Sequence, residues 1–246
     1  MPHPSINEIV TEDYRTALIL DAYGIDFCYS GKKTLEEVSE EQHLDRHILE
    51  QALSNLNDLP PHWDYAAWDT KFLLEFIVHT HHNYIRETLP KLLLLSEIVI
   101  EKDSDNHPEM RPVSILLKEL DQCVKQHLVS EEYALFPYLL EMELARNNKQ
   151  YFIAAENGRL EKPIHAIVKD HYRTVRNLKK IRELSQYFQP PHGACRECVI
   201  WYQLLREFDA DMRLHIHLEN NILFPRALAL EAELSGRTDF TPVWIS

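Results

Sequence analysis

The chain has 246 residues, enough to bury a substantial core as one large domain or as one medium domain with a small one. A formal net charge of −13, with no helix of clustered Lys and Arg, excludes a protein that grips phosphate backbones by charge. Hydrophobic residues at 45% exclude a disordered chain, and five glycines set between long runs of helical periodicity exclude a turn-rich all-β fold. Four cysteines are too few for a disulfide scaffold. MPHPSINEIV lacks the basic-then-apolar order of a secretory signal, and the oiliest window, LLLLSEIVI, is too short to cross a bilayer. A cytoplasmic protein, binding neither membrane nor nucleic acid, is expected.

Residues 1–62 read as a small helical domain. INEIVTEDYRTALILDAYG is followed by a break at Gly24 to Gly31, then by TLEEVSEE and LDRHILEQALSNL. Thr34 and Glu37 form the Thr-x-x-Glu capping box that starts a helix directly after FCYSGKK. Pro60 and Pro61 in NLNDLPPHWD cannot continue a helix and mark a linker. Residues 66–234 carry four long helical runs, near 69–100, 111–144, 161–188 and 196–232, separated by EKDSDNHPEMRP, a polar stretch, and QPPHGA. Four long helices with such connections fit an antiparallel four-helix bundle, and the fold class is all-α. Residues 235–246 form a tail that offers Val243, Trp244 and Ile245 for docking.

Apolar residues at three-and-four spacing mark the inner faces, and polar residues interrupt them. In the second run Leu116, Leu120, Cys123 and Val124 lead to His127 and Glu131; in the fourth, Leu205, Phe208 and Met212 lead to His215 and Glu219. His171 lies on the stripe of Ile164, Ile167, Val175 and Leu178, while the first run offers His82, His81 or His79. HLVSEEYALFP and HIHLENNILFP repeat the same His-x-x-x-Glu and Leu-Phe-Pro, and residues four apart on a helix aim at one point. With His82, the steps are 45, 44 and 44 residues (127 − 82, 171 − 127, 215 − 171), which brings four histidines to one height in an up-and-down bundle.

Carboxylates in a core need cations, and neutral imidazoles supply none. Two divalent ions resolve this, and mixed imidazole and carboxylate donors suit iron or manganese better than structural zinc. The competing reading is a hydrogen-bonded polar core. Leu-Phe-Pro reads as structural: each proline kinks its helix, and Phe136 and Phe224 pack above the site, restricting access to small diatomics.

His82-x6-Leu89-Pro90, His127-x-x-x-Glu131, His171 and His215-x-x-x-Glu219-Asn-Asn-x-Leu-Phe-Pro225, preceded by AYGIDFCYSGKKTLEEV, resemble the repair-of-iron-centres family of the ScdA/YtfE type. The resemblance covers about residues 5–230 and selects His82 among its neighbours. It implies a hemerythrin-like bundle holding two non-haem iron ions, with an oxo-type bridge, through His82, His127, His171, His215 and the bridging Glu131 and Glu219. It further implies restoration of iron-sulfur clusters damaged by nitric oxide or oxidants, with damaged iron-sulfur proteins as partners and nitric oxide or oxygen as small ligands. Reduction of nitric oxide and donation of iron are both compatible with it. The alternative is an oxygen or nitric oxide carrier or sensor without turnover, and a homodimer is a candidate assembly.

The sequence departs from the family at Cys28-Tyr29-Ser30-Gly31, where members typically carry Cys-Cys-Gly-Gly. Cys28 precedes Lys32, Lys33 and a helix N-terminus, which favour its thiolate, so it reads either as a reactive thiol or as a buried turn residue. Cys195-x-x-Cys198 has no second pair and reads as structural, as does Cys123. His165 and His217 are expected in solvent, and His79 is a candidate to orient a ligand.

Overall fold

The computed structural model describes residues 3–56, 63–105, 107–149 and 160–236, so the Pro60-Pro61 linker and the tail residues Val243, Trp244 and Ile245 lie outside the described residues. The chain forms two units, residues 1–69 and 70–246. No β-strand occurs among the described residues; Ser5 and Thr34 meet in an isolated antiparallel bridge.

The first unit is built from α1 (Ile6–Glu12), α2 (Arg15–Ala22), α3 (Phe27–Ser30), α4 (Leu35–Gln42), α5 (Arg46–Ser54) and a 3₁₀ turn at Tyr65–Ala67. Helices this short are unstable alone, and side-chain caps offset that. Ser5 with Glu8 and Thr34 with Glu37 form full capping boxes, and Asp45 accepts from the His47 and Ile48 amides. The Gly24 to Gly31 break contains α3, which begins where Asp26 accepts from the Cys28 and Tyr29 amides. Ile6, Val10, Leu20, Ile25, Phe27, Val38 and Leu49 close an apolar core. The α1 backbone is tied to the following loop by Ile6 N donating to Lys33 O and Asn7 N to Gly31 O. A Cβ at position 31 would collide with the Asn7 carboxamide, so a larger residue there must displace that side chain.

The second unit has four long helices. The first joins α6 (Thr70–Phe76), a π-helical turn (Ile77–His82) and α7 (Asn83–Asp103); the second joins α8 (Met110–Ser130), a π-helical turn (Glu131–Leu135) and α9 (Phe136–Asn147). The third is α10 (Glu161–Leu184), and the fourth joins α11 (Arg196–His217), a π-helical turn (Leu218–Leu223) and α12 (Phe224–Leu234). Packing of α6 on α9 and of α7 on α8 makes the first and second helices antiparallel, and packing of α11 on α7 does the same for the first and fourth. Trp201, Tyr202, Phe208 and Phe224 fill the interior, and the Trp201 indole donates to Leu92 O at 3.1 Å.

Two of the π turns run directly into Phe136-Pro137 and Phe224-Pro225. Proline lacks the N–H and crowds the carbonyl four residues back, so the ladder widens locally where a simple kink was expected. The turn at Ile77–His82 has no proline behind it in this register, and no sequence signal announces it. The third helix ends at Leu184, four residues short of its periodicity. Gln186, Tyr187 and Phe188 take positive φ, and Phe188 turns back into the core, its carbonyl accepting from Arg206 at 3.0 Å.

Candidate metal centre

The bundle brings all six predicted residues together. His82, Glu131, His215 and Glu219 form one group, and His127, Glu131, His171 and Glu219 form a second; within each, one donor atom per residue lies within 4.8 Å of the others. Both glutamates belong to both groups, which is the arrangement of bridging ligands. The Nε2 atoms of His82 and His215 stand 3.2 Å apart, those of His127 and His171 3.1 Å apart. His127 Nε2 lies 3.2 Å from Glu131 Oε2, His171 Nε2 3.2 Å from Glu219 Oε2, and His215 Nε2 3.0 Å from Glu219 Oε1.

The donor set fits a pair of cations. All four oxygens of Glu131 and Glu219 are buried and receive no hydrogen bond, a costly state for carboxylates unless positive charge stands between them. Burial pushes the Glu131 carboxyl well above the usual range, and the Glu219 charge pushes it further. Burial acts on Glu219 in the same sense, but His215, His171 and His82 hold it well below that range. The protein alone therefore favours one proton shared by the pair. Burial also favours the neutral form of two of the imidazoles, which leaves them able to donate to a metal: His127 falls well below its ordinary value, with His171 adding to the effect, and His215 comes down to about 4.

Surrounding groups hold the ring orientations. His82 Nδ1 donates to Glu132 Oε1 at 2.6 Å, an oxygen that also accepts from Arg86 at 2.6 Å. His171 Nδ1 donates to Asn220 Oδ1 at 2.7 Å. Phe136 stacks on His82 at 5.7 Å between centroids and Phe224 on His171 at 6.1 Å, so both phenyl rings pack against ligand imidazoles. Glu132 and Asn220 were missed in the sequence, although each directly follows a predicted bridging glutamate.

The neighbouring histidines divide differently from expectation. His79 is exposed and orients nothing at the site; His81 is buried, its Nδ1 2.8 Å from Asp211 Oδ1 and its ring stacked on His215 at 5.9 Å. The wider π turn breaks the α-helical spacing that put His79 on the His82 face. His217 is buried, not solvated: residues 215–219 are all enclosed, so this turn has no wet face. Its Nδ1 faces the Asn221 amide nitrogen at 2.8 Å, and burial brings it down to about 3. His165 is exposed.

All four cysteines are free thiols. Cys198 is fully buried, and burial pushes its thiol up to about 12, in keeping with a structural role. Cys123 is half-buried, its thiol raised by burial and by Asp170. Cys28 is also half-buried; Lys33, one of the two cations expected to favour its thiolate, forms an ion pair with Glu41 at 2.5 Å.

Residues 73–227 match the hemerythrin HHE cation binding domain, and residues 3–57 match ScdA_N, a domain of unknown function. The chain is 31% identical over 215 residues to the iron-sulfur cluster repair protein YtfE of Yersinia pseudotuberculosis serotype O:1b, covering 87% of this chain and 91% of the relative. Its likeness to the protein of that name from Musicola paradisiaca is 31% over 230 residues, or 93% and 97% of the two chains.

Proposed function

The chain belongs to the hemerythrin-like repair-of-iron-centres family, and from that premise we propose that it repairs iron-sulfur clusters through a non-haem di-iron centre held by His82, His127, His171, His215, Glu131 and Glu219. The observation that carries this reading is the pair of overlapping groups sharing both glutamates, with every carboxylate oxygen buried and unpartnered. Iron supplies redox chemistry and exchangeable coordination there. The chain's own residues would hold it, with His82, His127, His171 and His215 as nitrogen donors and Glu131 and Glu219 as carboxylate donors, while Phe136 and Phe224 pack on His82 and His171. Similarity that spans both units, to proteins named for cluster repair, favours repair over a carrier, because a carrier needs only the bundle.

Damaged iron-sulfur proteins are the proposed partners, and nitric oxide is the proposed small ligand of the reduced centre. No helix among the described residues is long and apolar enough to cross a membrane, and a reducing cytoplasmic setting is part of the proposal. Cys28 is proposed to take part in transfer. The test is recovery of an iron-sulfur enzyme inactivated by nitric oxide. The iron-loaded protein with reductant restores activity, His171→Ala does not, and Cys28→Ser keeps its iron but restores less. Reversible oxygen binding without recovery would overturn the proposal.

A further inference from the structure

The two copies of the repeated motif serve both metal positions crosswise. HLVSEEYALFP contributes His127 to one group, while its Glu132 and Phe136 hold His82 in the other. HIHLENNILFP contributes His215 to the group of His82, while its Asn220 and Phe224 hold His171 beside His127. Each position thus has two imidazoles, both shared carboxylates and one phenyl ring stacked on a ligand. Each also has one histidine whose buried Nδ1 makes no hydrogen bond, His215 in the first and His127 in the second. These features match; besides His81, whose ring stacks on His215, one difference stands out: the residue after the shared glutamate is a carboxylate at one position and an amide at the other.

That difference has a direction. A carboxylate that accepts the Nδ1 proton raises the electron density at Nε2 and makes the imidazole a stronger donor, whereas a neutral amide oxygen does so less. Arg86 donates to the same Glu132 oxygen at 2.6 Å, which moderates this effect without removing the difference between a carboxylate and an amide acceptor.

Building on the di-iron reading, we propose that Glu132 and Asn220 are positioning residues that make the metal positions unequal. Iron is held firmly between His82 and His215, and the iron between His127 and His171 is the one given up. The chain would then be a donor of one iron ion per cycle that keeps its second iron as an anchor.

The test uses the full chain loaded with Mössbauer-active iron and oxidised. Two quadrupole doublets of equal area are expected; Glu132→Gln shifts one and Asn220→Asp shifts the other. A chelator that removes half of the iron should leave the doublet that Glu132→Gln shifts. Asn220→Asp should slow release of the first iron by about tenfold, the low end of the effect of such partners on metal affinity. Should Glu132→Gln not load, Asn220→Asp still identifies its own doublet. Equal loss from both doublets, or retention of the one that Asn220→Asp shifts, overturns the proposal. A wild-type chain that takes up fewer than two irons removes the di-iron reading and this inference with it, which separates that failure from the others.

Discussion

The two units solve the same problem, packing helices, with opposite means. In the first, four of the five described helices, four to nine residues long, start at a side-chain cap, and all pack around an apolar core. In the second, α8, α10 and α11 run 21 to 24 residues with no side-chain cap at their N-termini, and the bundle's core carries charge. Long helices have enough packed surface to tolerate uncapped ends, and that surface lets the bundle bury six polar side chains. Short helices have less such surface, so their termini must be satisfied locally.

Metal removal should break the comparison most visibly. Chelation takes the cations from between Glu131 and Glu219, so the bundle should lose on the order of 5 kcal/mol while the first unit is unaffected. Differential scanning calorimetry should show one transition moving down by more than about 10 °C and the other staying in place. The next largest effect needs no metal. Asp209 accepts from Arg182 at 2.7 and 2.9 Å and lies 3.2 Å from Arg213, all buried. Asp209→Ala removes the carboxylate that faces two buried guanidinium groups and should cost about 3 kcal/mol in urea denaturation. Its iron content, once folded, should be unchanged.

Smaller effects belong to the first unit. Gly31→Ala forces Asn7 away from the loop and should cost about 1–3 kcal/mol, read as a lower melting point of that unit alone. The smallest is its response to acid. The Ser5 backbone and hydroxyl hold Glu8 below its ordinary value of 4.5, and Thr34 does the same for Glu37. A carboxylate with a lowered folded-state pKa contributes its full stabilisation above 4.5 and loses it as pH falls below that value. The first unit should therefore melt at lower temperature as pH drops below 4.5, and a Ser5→Ala, Thr34→Ala variant should respond less.

How much of this was legible in the sequence differs between the units for the same physical reason. Glu131, His171 and Glu219 stood out because a polar residue on an apolar stripe contradicts its surroundings, and the repeated motif multiplied that signal. The Thr34 capping box was equally plain. Glu132 and Asn220 carry no apolar-stripe signal, and each lies in a π turn whose wider winding is not written in apolar spacing. His217 was misplaced because periodicity assumes an outward face, and the turn at 215–219 has none. Short α3 was hidden in a break because its Asp26 cap serves only four residues.

Iron per chain after reconstitution, measured in the wild type and in Glu219→Leu, tests the central claim most directly. Because Glu219 belongs to both groups, the wild type should hold about two irons and the variant fewer than about one. One iron in the wild type, or two retained by Glu219→Leu, would contradict a centre built on shared carboxylates.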